Sequence, residues 1–195
     1  MKFSGAQPEL MHFKKISPLI RSFIIIPVMA TTLSMSTFTA SINSVLSQKD
    51  VPNAEEVALQ QEREENAAKI DAYFAQFNLP LAGHGMTFVI EAENSGIPWS
   101  LLPAIAMAES TGCKYVIPGT NNCFGWGSGK IKFDSIDQAI TIISSHLGGN
   151  NPVTAKYYDG KTVEQILKAY NPPRIAPGYT QHVINIMKRI EQMTA

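Results

Sequence analysis

The spacing of apolar residues divides the chain into helices separated by short polar breaks. From Ala54 to Phe77 it is rich in Ala, Glu and Gln, with Pro52 ahead and Asn78-Leu79-Pro80 behind, which predicts one long helix. The first half of that helix carries Glu55, Glu56, Glu62, Glu64 and Glu65 and reads as a solvated stalk. In the second half Ile70, Tyr73, Phe74 and Phe77 fall at helical spacing and should dock on a domain that begins near Asp71. Ala82 to Ser95 predicts a second helix, with Met86, Val89 and Ile90 on its apolar side and Gly96 as its C-terminal cap. Ile97-Pro98-Trp99 turns the chain, and Ser100 caps a third helix running through Leu101, Leu102, Ile105 and Ala108 to Glu109.

The pattern then lapses. Gly112 to Asn122 is rich in Gly, Asn and Pro and reads as a loop, closed by Asn122-Cys123-Phe124-Gly125-Trp126-Gly127. Lys130-Ile131-Lys132-Phe133 reads as a short strand or an extended connector. Helical spacing resumes with Ser135 to about Leu147, opened by Asp134 and with Asp137 as its capping-box partner. Gly148 to Pro152 breaks the chain. Thr162 starts a helix with Val163, Ile166, Leu167 and Tyr170, Asn171-Pro172-Pro173 stops it, and Tyr179 to Met193 forms the last. No internal repeat is present. The expected fold is a mainly α domain over residues 71–195, with a long loop or small β element.

Composition changes the picture at the N-terminus. Ser22 to Gln48 carries no Asp, Glu, Lys or Arg and follows Lys14, Lys15 and Arg21, with Phe23-Ile24-Ile25-Ile26-Pro27-Val28-Met29-Ala30 at its apolar centre. Residues 1–48 therefore read as a signal peptide or a single membrane anchor, and 49–70 as a polar helical stalk. The rival is a buried helix of a cytosolic domain. Under either export reading the positive flank leaves Lys49 onward outside the cytoplasm, held to the membrane if the segment is not cleaved. Formal net charge is +0, which argues against nucleic acid as a partner. A monomer is expected.

Cys113 and Cys123 are the two cysteines, ten positions apart in the loop. An even count in an exported chain points to a disulfide. A metal pair is the alternative, but His84, His146 and His182 are scattered and none falls at zinc-like spacing with the cysteines. No nucleotide-binding loop appears either, so no cofactor is implied.

Glu109 is the position with candidate chemistry. It follows the apolar run Leu101 to Ala108 and ends a helix. The negative end of the helix dipole and the loss of hydration both favour the neutral acid and raise its pKa. A carboxyl protonated near neutral pH is the proton donor that a glycosidic oxygen needs. The same position also suits a surface Glu that merely ends a helix.

An ordered set of segments bears on that choice. Asn78-Leu79-Pro80-Leu81-Ala82-Gly83 leads into Phe88 to Ser95, then Gly96-Ile97-Pro98-Trp99, Leu101-Leu102-Pro103-Ala104-Ile105-Ala106 and Ala108-Glu109-Ser110. Asn121-Asn122-Cys123-Phe124-Gly125-Trp126, Phe133 to Ile140 and Tyr170-Asn171-Pro172 follow. From about Tyr73 to Met193 the chain thereby resembles the lysozyme-like superfamily, in its lytic transglycosylase and bacterial N-acetylglucosaminidase branch. The resemblance implies peptidoglycan glycan strands as substrate and Glu109 as general acid/base. It implies that Ser110 positions the sugar or orients that carboxyl, and that Asn122, Phe124 and Gly125 line the glycan groove. Tyr170 would hydrogen-bond the acid or the reacting acetamido group. Trp126 reads equally as a platform for a pyranose ring or as core.

Hydrolysis by inversion or retention ordinarily uses a second carboxyl. Asp134 and Asp137 are already explained as a capping pair, and Glu91 and Glu93 sit on a helix where at least one should face solvent. The substrate's acetamido group and 6-hydroxyl can replace that partner, so one carboxyl favours lytic transglycosylation over hydrolysis. A hydrolytic glucosaminidase or muramidase, and a non-enzymatic wall-binding module, remain the alternatives.

Overall fold

The structure, a computed structural model, describes residues 53–194; the proposed export segment 1–48 lies outside them. Seven helices are present among the described residues: α1 (Ala54–Ala75), α2 (Gly85–Ser95), α3 (Leu101–Ser110), α4 (Ile136–Leu147), α5 (Ala155–Tyr158), α6 (Val163–Tyr170) and α7 (Tyr179–Glu191). The described part is mainly helical and contains no strand; of residues 130–133, Lys130 ends a turn and the other three form an irregular connector.

The most apolar helix lies at the centre. Every residue of α3 from Leu101 to Ala106 is buried, because that stretch has no polar face to present to water. It packs on α7, which turns Val183, Ile186, Met187 and Ile190 inward, while α1 lies against α2 and α7, and α2 against α4. The long first helix begins at Asn53, whose side chain accepts from the Glu56 N–H while the Glu56 carboxylate accepts from Asn53 N–H, a complete capping box. Burial along α1 starts at Ala67 and includes Ile70, Tyr73 and Phe74. Phe77 does not dock as expected: it lies past the helix end, 51% exposed, with its ring edge on Tyr73. Arg63 reaches across to Glu93 on α2 with Nη2 to Oε2 at 2.6 Å, so α1 is tied to α2 ahead of its buried half. Asp71 Oδ1 accepts from the N–H groups of Gly83 (2.8 Å) and Gly85 (2.9 Å), fixing the turn that leads into α2.

Four local expectations need correction. The second helix starts at Gly85 rather than Ala82, and it buries Phe88, Val89 and Ala92 while Ile90 is exposed; its expected cap is present, with Gly96 at φ 67. Ser100 stands at the start of α3 but makes no capping bond, because its hydroxyl donates to Glu191 Oε1 at 2.6 Å and ties α3 to the end of α7. Asp134 and Asp137 are not a capping pair. Ser135 caps α4 by accepting from Gln138 N–H, Asp134 bonds the Gln138 side chain, and Asp137 pairs with His84 Nδ1 at 2.7 Å, which holds its carboxyl below the usual range. The short α5 fills the break after Pro152, where no helical period is long enough to read. The other two late helices begin where expected, and Thr162 with Gln165 forms a capping box.

Cys113 and Cys123 are joined by a disulfide. Thr111, Gly112 and Cys113 all have positive φ (55, 61 and 72°), an arrangement that costs a β-branched residue and a cysteine on the order of 1–2 kcal/mol each. The disulfide, the packing of Gly112 on Phe74 and Leu79, and the Cys113 N–H bond to Ser110 Oγ at 2.9 Å hold that turn. No described helix is long and apolar enough to cross a membrane.

Candidate active site

Glu109 occupies the last turn of α3, half-buried, with the strained turn immediately after it. Its Oε1 accepts from the Tyr179 hydroxyl at 2.6 Å. Its Oε2 faces the loop backbone at Gly125: a Cβ there would lie 2.9 Å from Oε2, and φ is 63°. Gly125 therefore meets two demands, a left-handed backbone and close approach to the carboxyl. Burial raises the Glu109 pKa above the ordinary carboxylate range, and the bond from Tyr179 pulls only partly against it. The phenol of Tyr179 is itself driven upward, first by burial and then by its bond to Glu109, so it stays a donor through the physiological range.

Of the two partners expected for Tyr170, the acid and the reacting acetamido group, the acid is not bonded to it. Its hydroxyl donates to the Phe124 carbonyl, so it anchors the loop instead of bonding the acid. Its ring lies parallel to that of Tyr179, with centroids 6.4 Å apart and planes within 5°. Burial, and then the negative charge of Glu109, put its pKa well above the usual phenol value.

The loop residues are arranged around this pair. Ser110, 3% exposed, donates to the Cys123 carbonyl at 2.7 Å with the Ala106 carbonyl at 3.1 Å, and accepts from Cys113 N–H. It joins the end of α3 to both ends of the disulfide loop. Asn122, also buried, donates from Nδ2 to the carbonyls of Trp126 (2.8 Å) and Ile131 (3.1 Å) and accepts from Trp126 N–H at 3.0 Å. Phe124 is fully buried, edge-on to Phe88. These three side chains shape the loop from beneath, while Gly125 and Trp126 stand at its surface. Trp126 packs on the core and against His146, at 4.9 Å between ring centroids. Trp126 also lines a cavity of about 380 Å³ with Gly125, Gly127, Ser128 and Tyr170. A second depression of about 270 Å³ borders Tyr179. Each of the two stacked tyrosines thus borders a recess, and Glu109, which lines neither, is bonded to Tyr179.

No family model matches the chain, and no curated protein matches it. The site stands on its geometry.

Of the other carboxylates considered, Glu93 is paired with Arg63, Asp137 with His84, and Asp134 with Gln138, and Glu91 is half-exposed on α2. Among the described residues no group of three or more His, Cys, Asp or Glu is placed to hold a metal. The residue missed by sequence reasoning is Tyr179. It begins the last helix after Ala176-Pro177-Gly178, and nothing in its spacing marks it; only the packing of α7 on α3 brings it to Glu109.

Tyr179→Phe separates positioning from packing. Loss of the donor removes the contact that favours the ionised carboxyl, so the Glu109 pKa should rise further. If activity needs the protonated acid, the alkaline limb of its pH profile moves to higher pH, with maximal rate falling by about three- to tenfold from lost orientation. A lower rate with an unmoved limb would mean that Tyr179 only packs.

Proposed function

We propose that this chain cleaves the β-1,4 glycosidic bonds of bacterial peptidoglycan strands, with a lysozyme-like fold and Glu109 as its acid and base. The observation that carries the reading is the half-buried Glu109 carboxyl, raised in pKa and held between Tyr179 and the Gly125 backbone, two residues that each border a recess. A raised pKa favours the protonated form that a glycosidic oxygen needs as its proton donor, and the ionised form follows once that proton is given up. The ordered segments from Asn78 to Pro172 support the same family.

The isolation of Glu109 favours lytic transglycosylation. Glu109 protonates the glycosidic oxygen as the C1–O bond breaks, and the leaving sugar departs as an alcohol. The acetamido oxygen of the retained sugar bonds to C1 and takes up the positive charge. The 6-hydroxyl then attacks C1, the acetamido bond breaks, and the Glu109 carboxylate accepts the hydroxyl proton. One carboxyl serves both steps, and no water is consumed. Of the four candidates for the second group of a two-carboxylate hydrolysis, Asp134, Asp137 and Glu93 are committed elsewhere, which leaves Glu91, half-exposed on α2, without a bonded partner among the described residues. A hydrolytic glucosaminidase or muramidase on the same fold is the second reading, supported by the same acid if a water takes the place of the 6-hydroxyl.

Export across the membrane fits this substrate, as does the disulfide. The experiment is incubation of the full chain with purified sacculi. Release of soluble fragments supports cleavage; sacculi that bind the chain and stay intact would assign it to non-enzymatic wall binding.

A further inference from the structure

Charge is unevenly distributed although the formal net charge is zero. Glu55 to Glu65 hold five carboxylates against Arg63 alone, whereas Ser110 to Phe133 hold Lys114, Lys130 and Lys132 and no Asp or Glu. All three lysines are exposed, and none joins an ion pair among the described residues. The Cys113–Cys123 disulfide ties the segment of Lys114 to the loop at Cys123, and hydrogen bonds tie residues 120–122 just before it to the stretch that carries Lys130 and Lys132. Phe133 N–H donates to the Thr120 carbonyl at 2.8 Å, Asn121 Nδ2 to the Phe133 carbonyl at 2.9 Å, and Asn122 Nδ2 to the Ile131 carbonyl at 3.1 Å. Gly127 and Ser128, which line the larger cavity, lead directly to Lys130, whose N–H bonds back to the Gly127 carbonyl at 3.3 Å.

We propose that this basic rim binds the carboxylates of the stem peptides carried by glycan strands, and so selects peptide-bearing strands. The inference rests on the reading of the chain as a glycan-strand enzyme and names the part of the substrate that it prefers. Pyranose rings offer the lysines no counter-charge; the peptides beside the cleavage site do. Lysine is suited to the task, because a point charge on a flexible stem reaches carboxylates at varied positions without demanding one geometry. Exposed pairs of this kind contribute little singly and are screened by salt, so the preference comes from the three together.

The test is a binding measurement on the full chain carrying Glu109→Gln, which keeps the strands intact. Two ligands are compared: solubilised peptide-bearing glycan strands, and the same strands with their peptide carboxylates converted to neutral amides. The native strands should bind about tenfold more tightly at low salt. That preference should fall to within about twofold in the Lys114→Gln/Lys130→Gln/Lys132→Gln variant and with added salt. A Lys156→Gln/Lys161→Gln variant, altered at exposed lysines outside the loop, should keep it. Equal affinity for the two strands, or an undiminished preference in the loop variant, overturns the proposal. So does a loop variant that loses only its binding to anionic vesicles, which would assign Tyr115, Ile117, Ile131 and the lysines to a membrane surface. Cleavage is read separately with unmutated Glu109, so failure of the enzyme reading is distinguishable from failure of the peptide preference.

Discussion

Glu109→Gln is expected to lower the release of soluble fragments from sacculi by about 10²- to 10⁴-fold, the usual contribution of a general acid. The amide keeps the size of the side chain and an oxygen able to accept from Tyr179, but it has no proton to give. Folding should survive the change. Because burial raises the Glu109 pKa in the folded state, the folded protein holds that proton more tightly than the unfolded chain does. The stabilisation linked to Glu109 is therefore full below the unfolded carboxylate pKa and is lost as pH rises through the higher folded value. The Gln variant has nothing to ionise, so at neutral pH its melting temperature should equal or slightly exceed that of the parent. The wild-type kcat/KM should fall as pH rises through the same folded pKa. Lost activity with a lowered melting temperature would indicate damage to the fold instead.

The second large effect concerns the disulfide. Cys113→Ser/Cys123→Ser should cost about 2–3 kcal/mol of stability through the freed loop, lowering the melting temperature by roughly 5–15 °C. Activity should fall as well, because the bond fixes the strained turn after Glu109 and the segment that presents Gly125 to its carboxyl. Reductant should weaken the parent in the same direction and leave the double variant unchanged. Thermal melts with and without reductant, paired with the sacculus assay, check both parts. A parent indifferent to reductant would remove the bond from the account.

Helix positions were legible because apolar spacing and turn residues act locally. The long α1, the start of α6 at Thr162, and the cap at Gly96 follow directly from such signals. Side-chain partners were not legible, because competition across the fold decides them. Ser100 and Asp137 each sit where a local cap was expected, yet Glu191 and His84 take their polar atoms. Ile90 and Phe88 are both apolar, and only the direction in which α2 lies on its neighbours decides which is buried. At the site, the helix-end position of Glu109 and its apolar surroundings could be read in advance. The pairing with Tyr179 could not, since it joins residues on helices distant in sequence. The same holds for Ser110 and Asn122: their sequence neighbourhood marks an important loop, and the structure has both side chains bonded within it.

The mass of the sugar end released from purified sacculi tests the central claim most directly. The predicted result is soluble muropeptides ending in 1,6-anhydro sugar, lighter by one water than a reducing end and absent with Glu109→Gln. Fragments ending only in reducing sugars would contradict internal attack by the 6-hydroxyl, and undiminished release by Glu109→Gln would contradict the acid itself.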